Sequence, residues 1–340
     1  MKAPSLKLKR PLTMQVMCGI AAVISLAAGS FALAQDRAEQ GTPRFRSLRS
    51  DTSTEKQVIT NTDLVTFNVS VIDAEGFLVP GLTKKEFAVT DNKIAQEIAF
   101  FSDADLPLRV GIVFDVSGSM SGKKIQTAQD GLATFINTSH PDDEYFLIGF
   151  SSQPQLLLDR TRDGNAMVSR LSFAEPKGST ALYDASYLAL DRIMQGVYPK
   201  RALLIISDGQ DNNSRYTFSE LRKLLRESGA TLYAIRIEGG LNGPLEVYGR
   251  LVLYELASVS GGRVFFPRNS DQMNRAFEQI ALELRHQYAI GYRPSNFTAD
   301  GTWHRVKVNV RPAAGPKRVF VRSRAGYYAT TEPALKGSKR

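Results

Sequence analysis

Residues 110–120 read Val-Gly-Ile-Val-Phe-Asp-Val-Ser-Gly-Ser-Met, and this stretch decides the fold. Its first part, Val110–Phe114, is a continuous apolar run, which is typical of a central strand covered on both faces. The polar residues Asp115, Ser117 and Ser119 follow at alternate positions in a loop. Apolar residues with helical spacing begin again at Ile125, so the sequence predicts a strand, a polar loop and a helix in succession.

The alternation of buried strands and amphipathic helices continues to about residue 286. This pattern predicts a doubly wound, mostly parallel, Rossmann-like α/β domain over residues 106–286. The helix near residue 217 begins with a capping box, Thr217-Phe218-Ser219-Glu220. The other predicted strands cover 145–150, 155–158, 202–206, 231–237 and 263–266, and the other predicted helices cover 182–193, 247–258 and 273–284.

Two segments rich in predicted β-strand flank this domain, at 62–102 and 287–329. The first opens with strict alternation of apolar and polar residues in 64–72, which predicts a half-buried strand. Our hypothesis is that the two segments fold together as one β-sandwich, with the α/β domain inserted between them. Further strands are predicted in them at 77–82, 87–90, 94–101, 288–292, 306–310 and 319–321.

The N-terminus has the pattern of a secretory signal peptide. Basic residues from Lys2 to Arg10 precede an uncharged apolar run over 14–28 and the small-residue sequence Ala32-Leu33-Ala34. We therefore predict a signal peptide at 1–34 and export to the periplasm or the extracellular space. The alternative is a chain that its uncleaved leader anchors in the membrane. Residues 35–61 are predicted to be a flexible linker, and 330–340 a terminal tail.

The composition excludes several classes of protein. The 340 residues contain one Cys and three His, which excludes a disulfide framework and a metal site built on thiolates or imidazoles. Any metal must therefore bind oxygen. The formal net charge of +9 suggests nucleic acid as a partner, but an exported chain does not meet nucleic acid, so we expect none. Much of the charge lies in the acid-free stretch 301–329, interpreted as a solvated sheet face or as a weak contact with anionic envelope polymers.

Oxygen-bearing side chains lie in three predicted loops of the α/β domain. Asp115, Ser117 and Ser119 come after one buried strand, Asp208 comes after another, and Thr180 immediately precedes a helix. Because the carboxyl ends of parallel strands meet at one edge of a sheet, these side chains are expected to lie close together. A shell with only two carboxylates suits a hard divalent cation, Mg²⁺ first, with Mn²⁺ or Ca²⁺ as alternatives.

These five residues resemble the metal-ion-dependent adhesion site of von Willebrand factor type A domains. The resemblance covers roughly 106–286 and implies that Asp115, Ser117, Ser119, Thr180 and Asp208 hold the metal. More loosely, the whole chain resembles a bacterial subgroup of these proteins that is frequent in acidobacteria. That resemblance rests on the segments Val79–Phe87, Tyr288–Pro294 and Arg324–Tyr328.

The function that follows is a metal-dependent, adhesion-type protein-binding module. Its partner is expected to present an Asp or Glu carboxylate, which replaces a water on the metal. One alternative is a structural envelope protein whose metal only stabilises the fold. Another is a metal-assisted hydrolase. No acid/base pair is evident, since Asp211, Asn212 and Asn213 are interpreted as turn residues, so we do not expect an enzyme.

Overall fold

A computed structural model describes residues 64–330, except for 172–175, 196–197, 199, 238–243, 296 and 317. The predicted signal peptide (1–34), linker (35–61) and almost all of the tail (330–340) lie outside the described residues. None of the helices in the described part combines the length and the apolar character that a membrane crossing requires.

In chain order, the strands are β1 (Val65–Asp73), β2 (Phe87–Asp91), β3 (Ile94–Gln96), β4 (Ile98–Ser102), β5 (Leu108–Asp115), β6 (Glu144–Phe150), β7 (Pro154–Thr161), β8 (Lys200–Ser207), β9 (Thr231–Arg236), β10 (Arg263–Phe265), β11 (Tyr288–Tyr292), β12 (Trp303–Val310), β13 (Val319–Ser323) and β14 (Gly326–Tyr328). The helices are α1 (Lys123–Thr138), α2 (Gly164–Leu171), α3 (Leu182–Met194), α4 (Phe218–Ser228), α5 (Pro244–Ser260) and α6 (Ser270–Arg285).

The α/β part is built on a six-stranded sheet in the order β10-β9-β8-β5-β6-β7. All of its strands run parallel except β7, which pairs antiparallel with β6 at the edge. Strand β5 lies in the interior of the sheet, and every one of its residues is buried. The predicted doubly wound α/β fold is confirmed.

Helices cover both faces of this sheet. Apolar residues of α1, α2 and α6 pack on one face, and those of α3, α4 and α5 pack on the other. Helix α2 is not among the elements expected from the sequence. This helix is only eight residues long and buries only Gly164, Met167 and Leu171, so its apolar stripe is too short to show a period.

The two flanking β segments interleave. Strands β1 and β4 share an antiparallel sheet with β11 and β13, and β2 and β3 share a second one with β12 and β14. Apolar residues of the two sheets, including Phe67, Val89, Ile290 and Val308, form one core. Each segment therefore contributes strands to both sheets of a single sandwich.

Two of the strand predictions differ from the structure. The strand predicted at 77–82 is wrong: the described chain has only an isolated bridge there, between Leu78 and Ile72. Pro80 cannot donate a ladder hydrogen bond, and Gly81 turns the chain with a φ of +77°. The strand predicted at 94–101 divides into β3 and β4, because the chain crosses from one sheet to the other at Glu97.

Candidate metal centre

The candidate site lies where β5 and β8 end side by side. These parallel neighbours pair Phe114 with Ile206, so their carboxyl-terminal residues Asp115 and Ser207 are adjacent. The hydroxyl of Ser207 donates a 2.6 Å hydrogen bond to Oδ2 of Asp115. This bond joins the first polar loop, after β5, to the third polar loop, after β8, and fixes the orientation of the Asp115 carboxylate.

The first loop turns tightly around Asp115. Oδ1 of this residue accepts a 2.8 Å hydrogen bond from the backbone N–H of Ser117. The Oγ atoms of Ser117 and Ser119 lie 3.1 Å apart, which shows that the two hydroxyls point to the same place. Ser117 is buried and Ser119 is exposed, so the first loop reaches from the interior to the surface.

The second loop, which contains Thr180, is tied to the first by backbone hydrogen bonds. The N–H of Gly118 donates to the carbonyl of Gly178 at 3.2 Å, and the N–H of Lys177 donates to the carbonyl of Val116 at 3.0 Å. Gly178 has a φ of +84°, and a Cβ atom there would lie 2.6 Å from Oγ of Ser152. The positive φ therefore favours glycine at this turn of the second loop, and its near neighbour Ser152 belongs to the turn between β6 and β7.

Thr180 is also connected to the third loop. Its N–H donates to Oδ1 of Asn212 at 2.8 Å, and its carbonyl accepts hydrogen bonds from the N–H groups of Asn212 and Asn213 at 3.0 and 3.1 Å. Asp211 accepts a 2.9 Å bond from the N–H of Tyr183 in the first turn of α3. Asp211, Asn212 and Asn213 thus all take part in contacts that hold the loop in place.

Two carboxylates are buried at this site. Asp115 and Asp208 expose only 0% and 2% of their surface. Burial raises the pKa of the Asp115 carboxyl to about 6; hydrogen bonds from Ser117 and Ser207 oppose the shift, and the nearby Asp208 charge adds to it. Two carboxylates that repel each other out of water are a cost to the fold that a bound cation relieves.

The structure reveals two further residues that position the site. One is Ser207, the hydrogen-bond donor to Asp115; it stands beside Asp208 in the sequence, and its polar character at the end of an apolar strand was the available signal. The other is Arg236, which is fully buried at the end of β9 and donates from Nε to the carbonyl of Asp208 at 3.0 Å. A basic residue inside the apolar run 231–237 was the signal for Arg236.

The donors are therefore carboxylates and hydroxyls from three loops. Nowhere in the described part of the chain do three or more His, Cys, Asp or Glu side chains group as a metal site would require. A metal at this edge of the sheet would depend on Asp115 and Asp208 for charge and on hydroxyls for its other protein ligands. The chemistry of this donor set fits Mg²⁺, which accepts oxygen ligands, retains several waters and needs few carboxylates.

Comparison with known proteins is consistent with this architecture. Residues 110–210 match the family model of the von Willebrand factor type A domain. A UPF0353 protein of Mycolicibacterium paratuberculosis is 24% identical over 225 residues, which cover 58% of this chain and 65% of that protein. Inter alpha-trypsin inhibitor, heavy chain 4, of Mus musculus is 33% identical over 224 residues, which cover 59% of this chain and 23% of its own length.

The chain thus spans less than two thirds of the length of either relative. Among solved structures, a von Willebrand factor type A protein from Catenulispora acidiphila aligns with a TM-score of 0.46 at 14% identity, over 78% of this chain and 75% of that one. The class defined by the sheet and its three loops is an α/β domain with a polar site at the carboxyl edge. The family match covers the strands and loops that carry Asp115, Thr180 and Asp208, so residues 110–210 are those of a von Willebrand factor type A domain.

Proposed function

We propose that this protein is a divalent-cation-dependent, adhesion-type binding module, in which Asp115, Ser117, Ser119, Thr180 and Asp208 hold the ion. The observation that carries the proposal is the burial of two mutually repelling carboxylates, Asp115 and Asp208, beside converging hydroxyls. A bound Mg²⁺, or Mn²⁺ or Ca²⁺ in its place, supplies an exchangeable coordination position that an Asp or Glu side chain of a partner protein can occupy.

The residues of this chain have separate tasks in that function. Ser207 and the N–H of Ser117 orient the Asp115 carboxylate. Asn212 holds Thr180 against the third loop, and Arg236 supports the backbone of Asp208. Because Ser119 lies at the surface while Asp115 is buried, the site opens to solvent on the Ser119 side, where a partner carboxylate would enter.

The cellular setting that we propose is outside the cytoplasm. The leader-like pattern at 1–34 supports export to the periplasm or beyond, with retention by an uncleaved leader as the alternative. The boundaries 62–102, 106–286 and 287–329 remain our proposed divisions. On β12 the basic side chains of Arg305 and Lys307 are exposed, which leaves them available for weak contact with anionic envelope polymers. No nucleic-acid partner is proposed.

Mg²⁺ titration by calorimetry tests the metal site directly, with the full chain and its Asp115→Ala variant. We expect saturable binding to the wild type and none to the variant.

A pull-down from envelope extract in Mg²⁺, repeated in EDTA and with Asp115→Ala, then tests protein binding. Capture that persists unchanged in EDTA contradicts the proposal. A matched control is Asp130→Ala, which removes an exposed carboxylate on α1 away from the three loops.

A structural role for the metal is the second candidate. It is supported by the backbone bonds through which the donor loops hold one another, such as Gly118 to Gly178 and Asn212 to Thr180. A bound ion would then mainly stabilise the folded state. The observation that favours this role over binding is a rise in melting temperature with Mg²⁺ without any Mg²⁺-dependent partner. For hydrolysis the test is turnover that Asp115→Ala abolishes; we propose no enzymatic activity.

A further inference from the structure

Helix α5 exposes large apolar side chains on its outer side. Val247, Tyr248, Leu251 and Tyr254 are 56%, 54%, 60% and 63% exposed, and we call them the α5 ridge. Their spacing places them along one side of the helix. On the opposite side, Val252, Leu253, Leu256 and Ala257 are buried in the core. Helix α5 is therefore apolar on both sides, although packing on the core requires only one apolar side.

The half of α5 that carries the ridge packs against the Asp208 loop of the candidate metal centre. Gly249 packs against Gly209, the residue after Asp208, so closely that a Cβ atom on Gly209 would lie 2.7 Å from the carbonyl oxygen of Gly249. A hydrogen bond with Tyr248 contributes, after burial, to raising the pKa of Tyr183, which lies in the first turn of α3 just after Thr180. One turn of α5 therefore touches both the Asp208 loop and the helix that follows Thr180.

The exposed apolar character is confined to the end of α5 that is near the site. Continuing the same side of the helix past Tyr254, the next outward position is Ser258, which is exposed and polar. An apolar surface that ends one turn further from the site is not a general feature of this helix. The apolar surface lies instead on the half of α5 that packs against the Asp208 loop and contacts Tyr183.

The exposed area of the α5 ridge is smaller than the area that a specific protein interface buries. Four side chains of this type at these exposures present on the order of 400 Å². A specific protein interface buries about 800 Å² on each partner. The ridge alone is too small for a stable contact, and two copies packed ridge to ridge would also fall short. The remaining area must come from the neighbouring surface. That surface includes the solvent-exposed side of the metal centre around Ser119, which we call the mouth of the metal centre.

The charges at that mouth favour an acidic partner. Lys124 donates from Nζ to the carbonyl of Ser119 at 3.0 Å. Lys123 is exposed at the start of α1, and Lys177 is exposed in the second loop. Together with a bound cation, these ammonium groups attract a negatively charged segment. Two copies of this basic surface would repel each other, which disfavours self-association through it.

We propose that the α5 ridge and the metal centre form one binding surface, for a protein segment that carries an acidic side chain with large apolar side chains next to it. The carboxylate binds at the metal centre, and the apolar side chains pack on Tyr248, Leu251 and Tyr254. Tyrosine is enriched among the residues that carry interface binding energy, and Leu251 adds apolar area between Tyr248 and Tyr254. This inference rests on the proposed function and specifies the partner of that site.

Synthetic peptides on an array test the inference. Each peptide contains a single Asp, with either Leu and Phe or Ser placed at graded distances from it. The array is probed with the full chain in Mg²⁺ and in EDTA. We expect Mg²⁺-dependent binding that is stronger for the apolar series. Leu251→Glu and Tyr254→Glu are expected to weaken the apolar series about tenfold or more, while Ser258→Glu, on the same side of α5, leaves it unchanged.

The outcomes separate this inference from the proposed function. If binding needs Mg²⁺ and Asp115 but is equal for both peptide series and in the ridge variants, the inference fails and the proposed function stands. If binding of the apolar series falls in Leu251→Glu but ignores EDTA and Asp115→Ala, both fail. Absence of binding to every peptide also contradicts both. Sedimentation of the wild type as a dimer that Leu251→Glu makes monomeric would identify a second copy as the occupant and overturn the inference.

Discussion

Ser207 donates its hydroxyl hydrogen to Oδ2 of Asp115 across 2.6 Å, so the ends of two parallel strands share one buried polar contact. Oδ1 of the same carboxylate is held by the N–H of Ser117. The Asp115 carboxylate is thus held on both oxygens before any ligand arrives. Hydrogen bonds of this kind orient a metal ligand, and their loss lowers the affinity for the metal.

Ser207→Ala is therefore expected to weaken Mg²⁺ binding about tenfold while the chain stays folded. The substitution removes the hydroxyl that donates to Asp115 and that also accepts the N–H of Gly209 at 3.1 Å, while all five proposed ligands stay in place. Calorimetric titration with Mg²⁺ measures the effect. The matched control is Ser186→Ala, because Ser186 on α3 is also fully buried and its hydroxyl has no hydrogen-bond partner among the described residues. An equal loss in both variants would refute the role of Ser207.

Gly209→Ala tests the packing of α5 against the Asp208 loop. Gly209 has a φ of +83°, and its added Cβ would also meet Leu253 at 2.9 Å. We expect a loss of about 3 kcal/mol in the free energy of unfolding, from backbone strain and overpacking together, and weaker Mg²⁺ binding because Asp208 is displaced. Urea denaturation and metal titration measure the two effects.

Gly76→Ala separates strain from crowding. Gly76 has a φ of +90°, but a Cβ atom added to it would meet nothing within 4 Å, so this variant carries only the backbone cost of about 1 kcal/mol. Its Mg²⁺ affinity is expected to match that of the wild type. Equal destabilisation of the Gly76 and Gly209 variants would contradict the close packing of α5 on the loop.

Much of the sheet could be predicted from the sequence because its signals are local. The run Val110–Phe114 is apolar throughout and is buried throughout. Asp115 and Asp208 each directly follow a buried strand, so parallel pairing alone places them at one edge. The contribution of Ser207 and Arg236 could not be predicted in the same way. It depends on which strands are neighbours in the sheet, which local periodicity does not determine.

In the sandwich, too, a strand with a local signal was predicted, whereas a crossing between sheets was not. Alternation predicted β1 correctly, with Phe67 and Val69 facing inward. The segment 94–101 has the same local character throughout, yet it crosses between two sheets at Glu97, because β3 pairs with β2 while β4 pairs with β11. Such a crossing is decided by partners nearly 200 residues away along the chain.

Asp91 is expected to be the most sensitive polar position of the sandwich. Its Oδ2 accepts hydrogen bonds from the hydroxyls of Tyr292 and Tyr327 at 2.8 and 2.9 Å, and its Oδ1 lies 3.0 Å from Nδ1 of His304. These partners belong to β11, β14 and β12, so one buried carboxylate connects both sheets. Asp91→Ala removes the acceptor that these three groups share, although Tyr327 and His304 remain within 3.3 Å of each other. We expect the free energy of unfolding to fall by about 3 kcal/mol.

Urea denaturation measures this loss, and Asp73→Ala is the control. Asp73 accepts backbone hydrogen bonds from Glu75 and Phe77 in an exposed turn, so its removal is expected to cost no more than about 1 kcal/mol. If the two variants are equally stable, Asp91 does not connect the two sheets. Limited proteolysis offers a second readout, because Asp91→Ala is expected to be cleaved faster within the sandwich than the wild type.

Asp143 is expected to make stability depend on pH. Burial raises the pKa of its carboxyl from 3.8 to about 6, against hydrogen bonds from the N–H groups of Leu108 and His140; the charge of His140 also lowers it, and that of Asp105 raises it. Because the pKa is higher in the folded than in the unfolded state, the contribution of this group is fully present below pH 3.8 and is lost as the pH rises through 6.

Asp143→Asn removes that titration and keeps a side-chain oxygen for the N–H of Leu108. Relative to the wild type, the variant is therefore expected to gain on the order of 2 kcal/mol between pH 4 and pH 6.5, measured by urea denaturation at a series of pH values. Asp142→Asn is the matched control, because Asp142 lies in the same loop and is exposed. A constant difference between Asp143→Asn and the wild type over this range would show that the Asp143 carboxyl does not titrate as its burial requires.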